Sequence, residues 1–266
     1  MPLQVEVRGS GPPLVVLHGF TQTGRLFGRF GAHLAESHSL VAIDLPGHAG
    51  SDSVQADLPE TAALVAESVR TTIGDEPCDM FAYSLGARVA LHVVTGTGLR
   101  VSRAVLVGAT GGIENPADRA RRRLSDEALA DKLGADGDVD SFLDEWLAGP
   151  MFDRLASTDA AERSERRRNS ASGLASSLRL SGAGTQEPLW DRLATLTCPV
   201  LAMAGADDTR FASHALRIAR LVPRAVASLV PGGGHAVHLS QPDQASRIVD
   251  HWLDAVEPGL IRATQP

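Results

Sequence analysis

Ala82-Tyr83-Ser84-Leu85-Gly86 stands between a short apolar run, Asp79-Met80-Phe81-Ala82, and a stretch whose Val89, Ala90, Val93 and Val94 fall at helical spacing. A serine set between small residues where a strand turns into a helix has the form of a nucleophile elbow. The turn is so tight that only small side chains fit beside it, and it lifts the hydroxyl to the helix N-terminus. A five-residue match of this kind reads equally well as a structural turn when taken alone. The segments on either side decide between the two.

Upstream, Leu3 to Val7 alternates with period two and reads as an edge strand, while Pro13 to Leu17 and Leu40 to Asp44 are continuous apolar runs. Unbroken runs of that length suit strands of a parallel sheet, covered on both faces. Residues 60–73 carry Leu64, Val65, Val69 and Ile73 on one helical face. Downstream, Arg103 to Val107 reads as the next strand. The rhythm then breaks, and from 111 to 189 no strand pattern appears; helical spacing shows at Leu124, Ala128 and Leu129 and at Phe142, Leu143 and Trp146. Strands resume at Pro199 to Met203 and Ala225 to Val230, with helices expected over 213–221 and 243–256. Alternating strands and helices predict an α/β fold, a mostly parallel sheet flanked by helices. Its core would span 1–110 and 190–266, with 111–189 a helical lid inserted between two strands.

A serine nucleophile needs a base, and the base needs a carboxylate to orient it. Gly205-Ala-Asp207-Asp208 follows one predicted strand and Gly232-Gly-Gly-His235 the next. In an open parallel sheet such strand ends face one crevice. Asp207 competes with Asp208 for the acid, and the Gly-x-x-Asp spacing favours Asp208. His235 has a rival in His238; the glycine run before His235 supplies a turn into the site, whereas His238 fits the start of the last helix. Leu17-His18-Gly19-Phe20 follows the first buried strand and can supply the Phe20 N–H to an oxyanion hole, with Leu85 giving the other. The His18 side chain and Asp44-Leu-Pro-Gly-His48 are read as structural.

The order Ser84, Asp208, His235, each at a strand end, resembles the α/β-hydrolase superfamily over nearly the whole chain. Within it, Tyr83-Ser84-Leu-Gly-Ala-Arg88 is similar to the serine turn of the 2-succinyl-6-hydroxy-2,4-cyclohexadiene-1-carboxylate synthases of menaquinone biosynthesis. So are Arg119 to Leu129, Phe142-Leu-Asp-Glu-Trp146, Pro150-Met-Phe152, Arg168 with Gly173-Leu, Leu189 to Leu193 and His235 to Leu239. Alanines replace glycines at Ala82, Ala87 and Ala49, and a basic residue, Arg210, is kept after the acid. The resemblance implies a lyase that eliminates pyruvate from a cyclohexene bearing several carboxylates. Ser84, activated by His235 and Asp208, would remove a proton, and the Phe20 and Leu85 amides would hold the enolate oxygen. It also implies carboxylate binding by Arg88, Arg122, Arg168 and Arg210, and pocket positions at Tyr83 and Trp146. Arginine forks match carboxylates in a bidentate way, and Arg88 lies one helical turn from Ser84. For Arg119, Arg121, Arg122 and Arg123 a solvated helix face is the competing reading for at least two of the four, and the same reading applies to Arg163, Arg166 and Arg167.

A serine hydrolase acting on carboxylesters, thioesters or carbon–carbon bonds of diketo acids needs the same elbow and remains the alternative; a binding protein on this scaffold is the third reading. Composition bounds the rest. With 43% hydrophobic and 21% charged residues over 266, the chain is an ordinary globular sequence, and a net charge of −7 argues against general nucleic-acid binding. Cys78 and Cys198 form no metal or disulfide spacing, no apolar stretch approaches a membrane span, and the N-terminus has no signal-peptide pattern. The expectation is a cytoplasmic monomer or small homo-oligomer acting on a small anionic substrate. Neither GxGxxG nor HExxH occurs, and no cofactor or metal is implied.

Overall fold

The computed structural model describes residues 2–155 and 160–257. In chain order its first half holds β1 (Val5–Arg8), β2 (Pro13–Leu17), α1 (Gly28–Leu34), β3 (Ser39–Ile43), α2 (Leu58–Ile73), β4 (Cys78–Tyr83), α3 (Leu85–Gly96) and β5 (Val101–Val107). Then come α4 (Pro116–Asp136), α5 (Val139–Leu147), α6 (Ala160–Arg166) and α7 (Ala171–Ser181). The chain closes with β6 (Val200–Gly205), α8 (Thr209–Leu221), β7 (Ala225–Val230), α9 (Val237–Ser240) and α10 (Pro242–Ala255). The strands form one sheet in the order β1-β3-β2-β4-β5-β6-β7. All neighbours run parallel except β1, which pairs antiparallel with β3. Among the described residues every element between β5 and β6 is helical.

Because successive strand residues point to opposite faces, the continuous apolar runs feed two separate cores. Val15, Leu17, Val41, Ile43, Met80 and Ala82 pack under α2, α3 and α8. Leu14, Val16, Leu40, Ala42, Phe81 and Tyr83 pack under α1 and α10. A third cluster joins Ala130 and Leu133 of α4, Phe142 of α5, and Leu174 and Leu178 of α7. That cluster gives the inserted helices their own small interior over the strand ends.

Three expectations need correction. The first strand lies at Val5–Arg8 rather than Leu3–Val7, and Leu3 packs as a buried residue ahead of it. Helix α1 was not expected at all; its seven residues are too few to show a helical period. His238 does not open the last helix. It sits in the separate single turn α9, because Pro242 lacks an N–H and starts a new helix.

Candidate active site

The turn after β4 places Ser84 at φ 52°, ψ −105°, a backbone conformation that L-residues rarely hold. The turn survives because its neighbours leave no alternative. The Ser84 N–H donates to Val107 O at 2.9 Å, and the Gly86 N–H donates to His18 O at 3.0 Å. A Cβ on Gly86 would come within 2.4 Å of Leu17 O, so only glycine lets α3 approach β2 this closely. The two strands flanking β4 thus hold the elbow.

The loops after β6 and β7 complete a hydrogen-bonded chain. The His235 Nδ1–H donates to Asp208 Oδ2 at 2.9 Å, and its Nε2 lies 2.9 Å from Ser84 Oγ, placed to accept the hydroxyl proton. Asp208 also caps α8, its Oδ1 accepting from the Phe211 N–H at 3.2 Å. Burial alone would raise the Asp208 carboxyl, but the hydrogen bond and charge of His235, the Phe211 amide and Arg210 together hold it below its ordinary value. His235 packs at 4.4 Å, centroid to centroid, on Phe211 and lies against Gly108, where a Cβ would come within 2.8 Å of its Cε1. Asp207, the rival acid, turns outward and pairs with Arg154 at 2.9 Å. His238, the rival base, is fully buried among Phe27, Phe30, Phe81 and Tyr83, with neither ring nitrogen bonded among the described residues.

On the facing side, the loop after β2 makes a tight turn in which the Gln22 N–H donates to Gly19 O at 3.0 Å. The amides around it are engaged: Gly19 N donates to Gln22 Oε1 at 2.9 Å and Thr21 N to His48 Nε2 at 3.3 Å. His18 also holds Gly19 O, at 2.9 Å from Nδ1, while its Nε2 accepts from Leu45 N at 3.0 Å. In a trans peptide C=O and N–H point opposite ways, so tying down Gly19 O turns the Phe20 N–H away from these partners. Phe20 and Leu85 line one cavity together with Ser84 and His235. A serine and a base at hydrogen-bond distance can move a proton.

Arg88, Arg122, Arg210 and Trp146 line the same cavity, together with Asp126, the hydroxyl residues Thr110, Ser177 and Ser181, and apolar groups such as Ile113, Met151 and Leu178. Arg88 is buried, and its Nη1 donates to Ser181 O at 2.9 Å. Burial, and then the neighbouring Arg122 charge, push its pKa down to about 10. The Arg122 Nε donates to Asp126 Oδ1 at 2.7 Å, and the other Asp126 oxygen accepts from Gly184 N. The buried Trp146 Nε1–H meets no acceptor among the described residues.

Two expected residues lie elsewhere. Tyr83 is buried behind the elbow, its ring 5.4 Å from that of His235 and 4.5 Å from that of His238, so it braces the base and does not line the cavity. Arg168 is exposed, pairs with Glu165, and borders a different depression beside Glu6, Arg25 and Asp44. Its neighbour Arg166, expected on a solvated face, is instead 2% exposed, with Nη1 donating to Thr21 Oγ1 at 2.7 Å and Nη2 to Glu162 Oε1 at 2.7 Å. Asn169, which the sequence reading passed over, is also buried there. Nothing in the run Arg166-Arg167-Arg168 marks which arginine turns inward.

Comparison with known proteins finds similarity over nearly the whole chain. A sequence profile described as the alpha/beta hydrolase family matches residues 14–248. Over 265 residues the chain is 31% identical to a Bacillus subtilis (strain 168) protein provisionally named a 2-succinyl-6-hydroxy-2,4-cyclohexadiene-1-carboxylate synthase, with 96% of each chain covered. It is also 30% identical over 264 residues to the pimeloyl-[acyl-carrier protein] methyl ester esterase of Xanthomonas campestris pv. campestris (strain B100), covering 96% of this chain and all (100%) of that one. Among solved structures it resembles MenH from S. aureus with a TM-score of 0.87 at 26% identity, covering 96% of this chain and 98% of that one.

Proposed function

Because the chain belongs to the alpha/beta hydrolase family, we propose that it runs that scaffold's serine chemistry as a lyase. It eliminates pyruvate from 2-succinyl-5-enolpyruvyl-6-hydroxy-3-cyclohexene-1-carboxylate to give 2-succinyl-6-hydroxy-2,4-cyclohexadiene-1-carboxylate. The observation that carries this reading is a single cavity that holds both the Ser84–His235 pair and the guanidiniums of Arg88, Arg122 and Arg210. A buried cation short of compensating charge is costly, and the lowered pKa of Arg88 expresses that cost. A substrate carboxylate placed against it would relieve it. A neutral ester would not.

In the reaction, His235 takes the Ser84 proton as Ser84 Oγ removes the proton next to the succinyl carbonyl. The enolate oxygen is held by the Phe20 and Leu85 amides, and Asp208 stabilises the imidazolium that forms. Electrons then return from the enolate, the ring gains its second double bond, and the carbon–oxygen bond to the enolpyruvyl group breaks. The leaving group takes a proton to become pyruvate, and no water is consumed. Arg88, Arg122 and Arg210 orient the carboxylates, with the Trp146 N–H available as a further donor. On this reading the substrate is a small multiply charged anion and the enzyme a cytoplasmic one.

The second reading, a carboxylester hydrolase, is favoured by the apolar share of the cavity wall and by Arg122 being already paired with Asp126. The two part company in one assay. Purified protein is given the enzymatically generated cyclohexene precursor, and pyruvate release and diene absorbance are followed beside hydrolysis of nitrophenyl esters. The lyase reading expects pyruvate release that Ser84→Ala abolishes and Arg88→Ala lowers by about 10²-fold or more, a loss of roughly 3 kcal/mol in transition-state binding. Brisk ester cleavage with negligible pyruvate, and little effect of Arg88→Ala, would replace it with the hydrolase.

A further inference from the structure

We propose that Asn169 is a positioning residue for the oxyanion-binding amide of Phe20, acting through the turn Gly19-Phe20-Thr21-Gln22. The inference rests on the serine-based reading of the site but not on which substrate the site serves.

Thr21 occupies the third position of that turn at φ 67°, where glycine is the usual occupant and a β-branched side chain is strained. Such a residue stays there only if its surroundings hold it. All three polar groups of Thr21 are held, and two of the holders, Arg166 at the end of α6 and Asn169 in the segment after it, come from the inserted helices. The Asn169 Nδ2–H donates to Thr21 O at 2.9 Å, Arg166 Nη1 to Thr21 Oγ1 at 2.7 Å, and Thr21 N to His48 Nε2 at 3.3 Å. Asn169 also reaches the loop that carries His48. Its Oδ1 accepts from the Ala49 N–H at 3.0 Å, and Ala49 has φ 40°, a second non-glycine residue in the left-handed region. A closed ring therefore runs from Asn169 to Thr21, to His48, to Ala49 and back. Both strained residues in it are pinned by one carboxamide that is 4% exposed.

The consequence for chemistry follows from the turn. If Thr21 relaxes to a negative φ, the bond from Gln22 N to Gly19 O opens, and the Gly19–Phe20 peptide is left with the single hold of His18 Nδ1 on Gly19 O, about which it can tilt. The Phe20 amide then leaves the cavity wall beside Ser84. Asn169 touches no reacting atom; it fixes the direction of a donor that does. A carboxamide is needed, since one end must donate to a carbonyl while the other accepts from an amide.

The test labels Ser84 with a fluorophosphonate. The Ser84 Oγ–P bond forms as fluoride leaves, the serine proton passes to His235, and the phosphoryl oxygen occupies the oxyanion position. The second-order labelling rate and its pH profile are measured by mass spectrometry beside Tm. Asn169→Ala should lower the plateau rate about tenfold to hundredfold and leave the pH midpoint in place, because the base is untouched. In Asn169→Ala/Ala49→Gly the strained residue 49 becomes a glycine, so Tm should recover while the rate stays low. A single variant that labels at the wild-type rate, or a double variant that regains both Tm and rate, would overturn the proposal. So would failure of both to fold, which would assign Asn169 to the fold alone. If wild type is not labelled at Ser84, the serine reading itself fails, and that outcome is distinct from the others.

Discussion

At the residue scale the strain at Ser84 makes a direct stability forecast. A side chain at φ 52°, ψ −105° costs about 1–3 kcal/mol relative to glycine. Ser84→Ala keeps that cost and removes the hydroxyl; Ser84→Gly removes both. We expect both variants to lose turnover, with Ser84→Gly about 1 kcal/mol more stable than Ser84→Ala in urea unfolding. Equal stabilities would mean that the elbow stores no strain. That Ser84, Asp208 and His235 meet was legible in the sequence because each follows a strand, and strand ends of a parallel sheet converge whatever the loops between them do. Tyr83 was misplaced for a reason that strand alternation already contains. It stands two residues after Phe81 in β4 and shares its face, packing toward α1 and α10, while the cavity opens beyond the strand end. A resemblance transfers a residue type at a position; it does not transfer the direction of the side chain.

At the scale of elements, the strands were legible and the inserted helices much less so. A continuous apolar run admits few readings, and Pro13 to Leu17 was placed to the residue. The segment from α6 to α7 carries a run of arginines that polarity alone assigns to solvent. Arg163 and Arg167 do sit there, paired with Asp144 and Asp140, whereas Arg166 turns fully inward. The cause is tertiary: beside its i,i+4 pair with Glu162, the guanidinium finds in the Thr21 hydroxyl a partner that no periodicity encodes. The energetic contrast is correspondingly large. Arg166→Ala leaves a void and an abandoned Thr21 hydroxyl, and should cost about 3 kcal/mol. Arg167→Ala breaks an exposed pair and should cost less than about 0.5 kcal/mol. Chemical denaturation of the two variants measures this directly, and similar losses would refute the inward placement.

At the scale of the molecule, buried histidines tie stability to pH. His18, His48 and His238 are each fully buried, and burial lowers their pKa values to about 4, about 3 and about 3. Below the ordinary histidine value of 6.5 the unfolded chain takes up a proton at each, while the folded form resists until pH 4 or 3. The unfolded state then binds more protons, so stability falls as pH drops from 6.5 towards 4, by up to about 4 kcal/mol per pH unit when all of these sites act together. Asp208 works in a different window: its lowered carboxyl contributes stability above the ordinary aspartate value, which is lost only as pH falls through its own, lower one. At that slope a stability of about 5–15 kcal/mol corresponds to roughly one to four units of acidification below 6.5, so we expect acid unfolding by about pH 4 for a stability in the lower half of that range. His238 isolates one share of this, because its ring nitrogens are unbonded among the described residues and its neighbours are aromatic. His238→Leu should reduce the slope by about 1.4 kcal/mol per pH unit and leave stability at pH 7 equal or higher, since a desolvated polar ring is exchanged for an apolar group. Urea titrations at pH 7, 6 and 5 decide the matter: an unchanged slope would mean that His238 takes up its proton as readily in the folded chain as in the unfolded one.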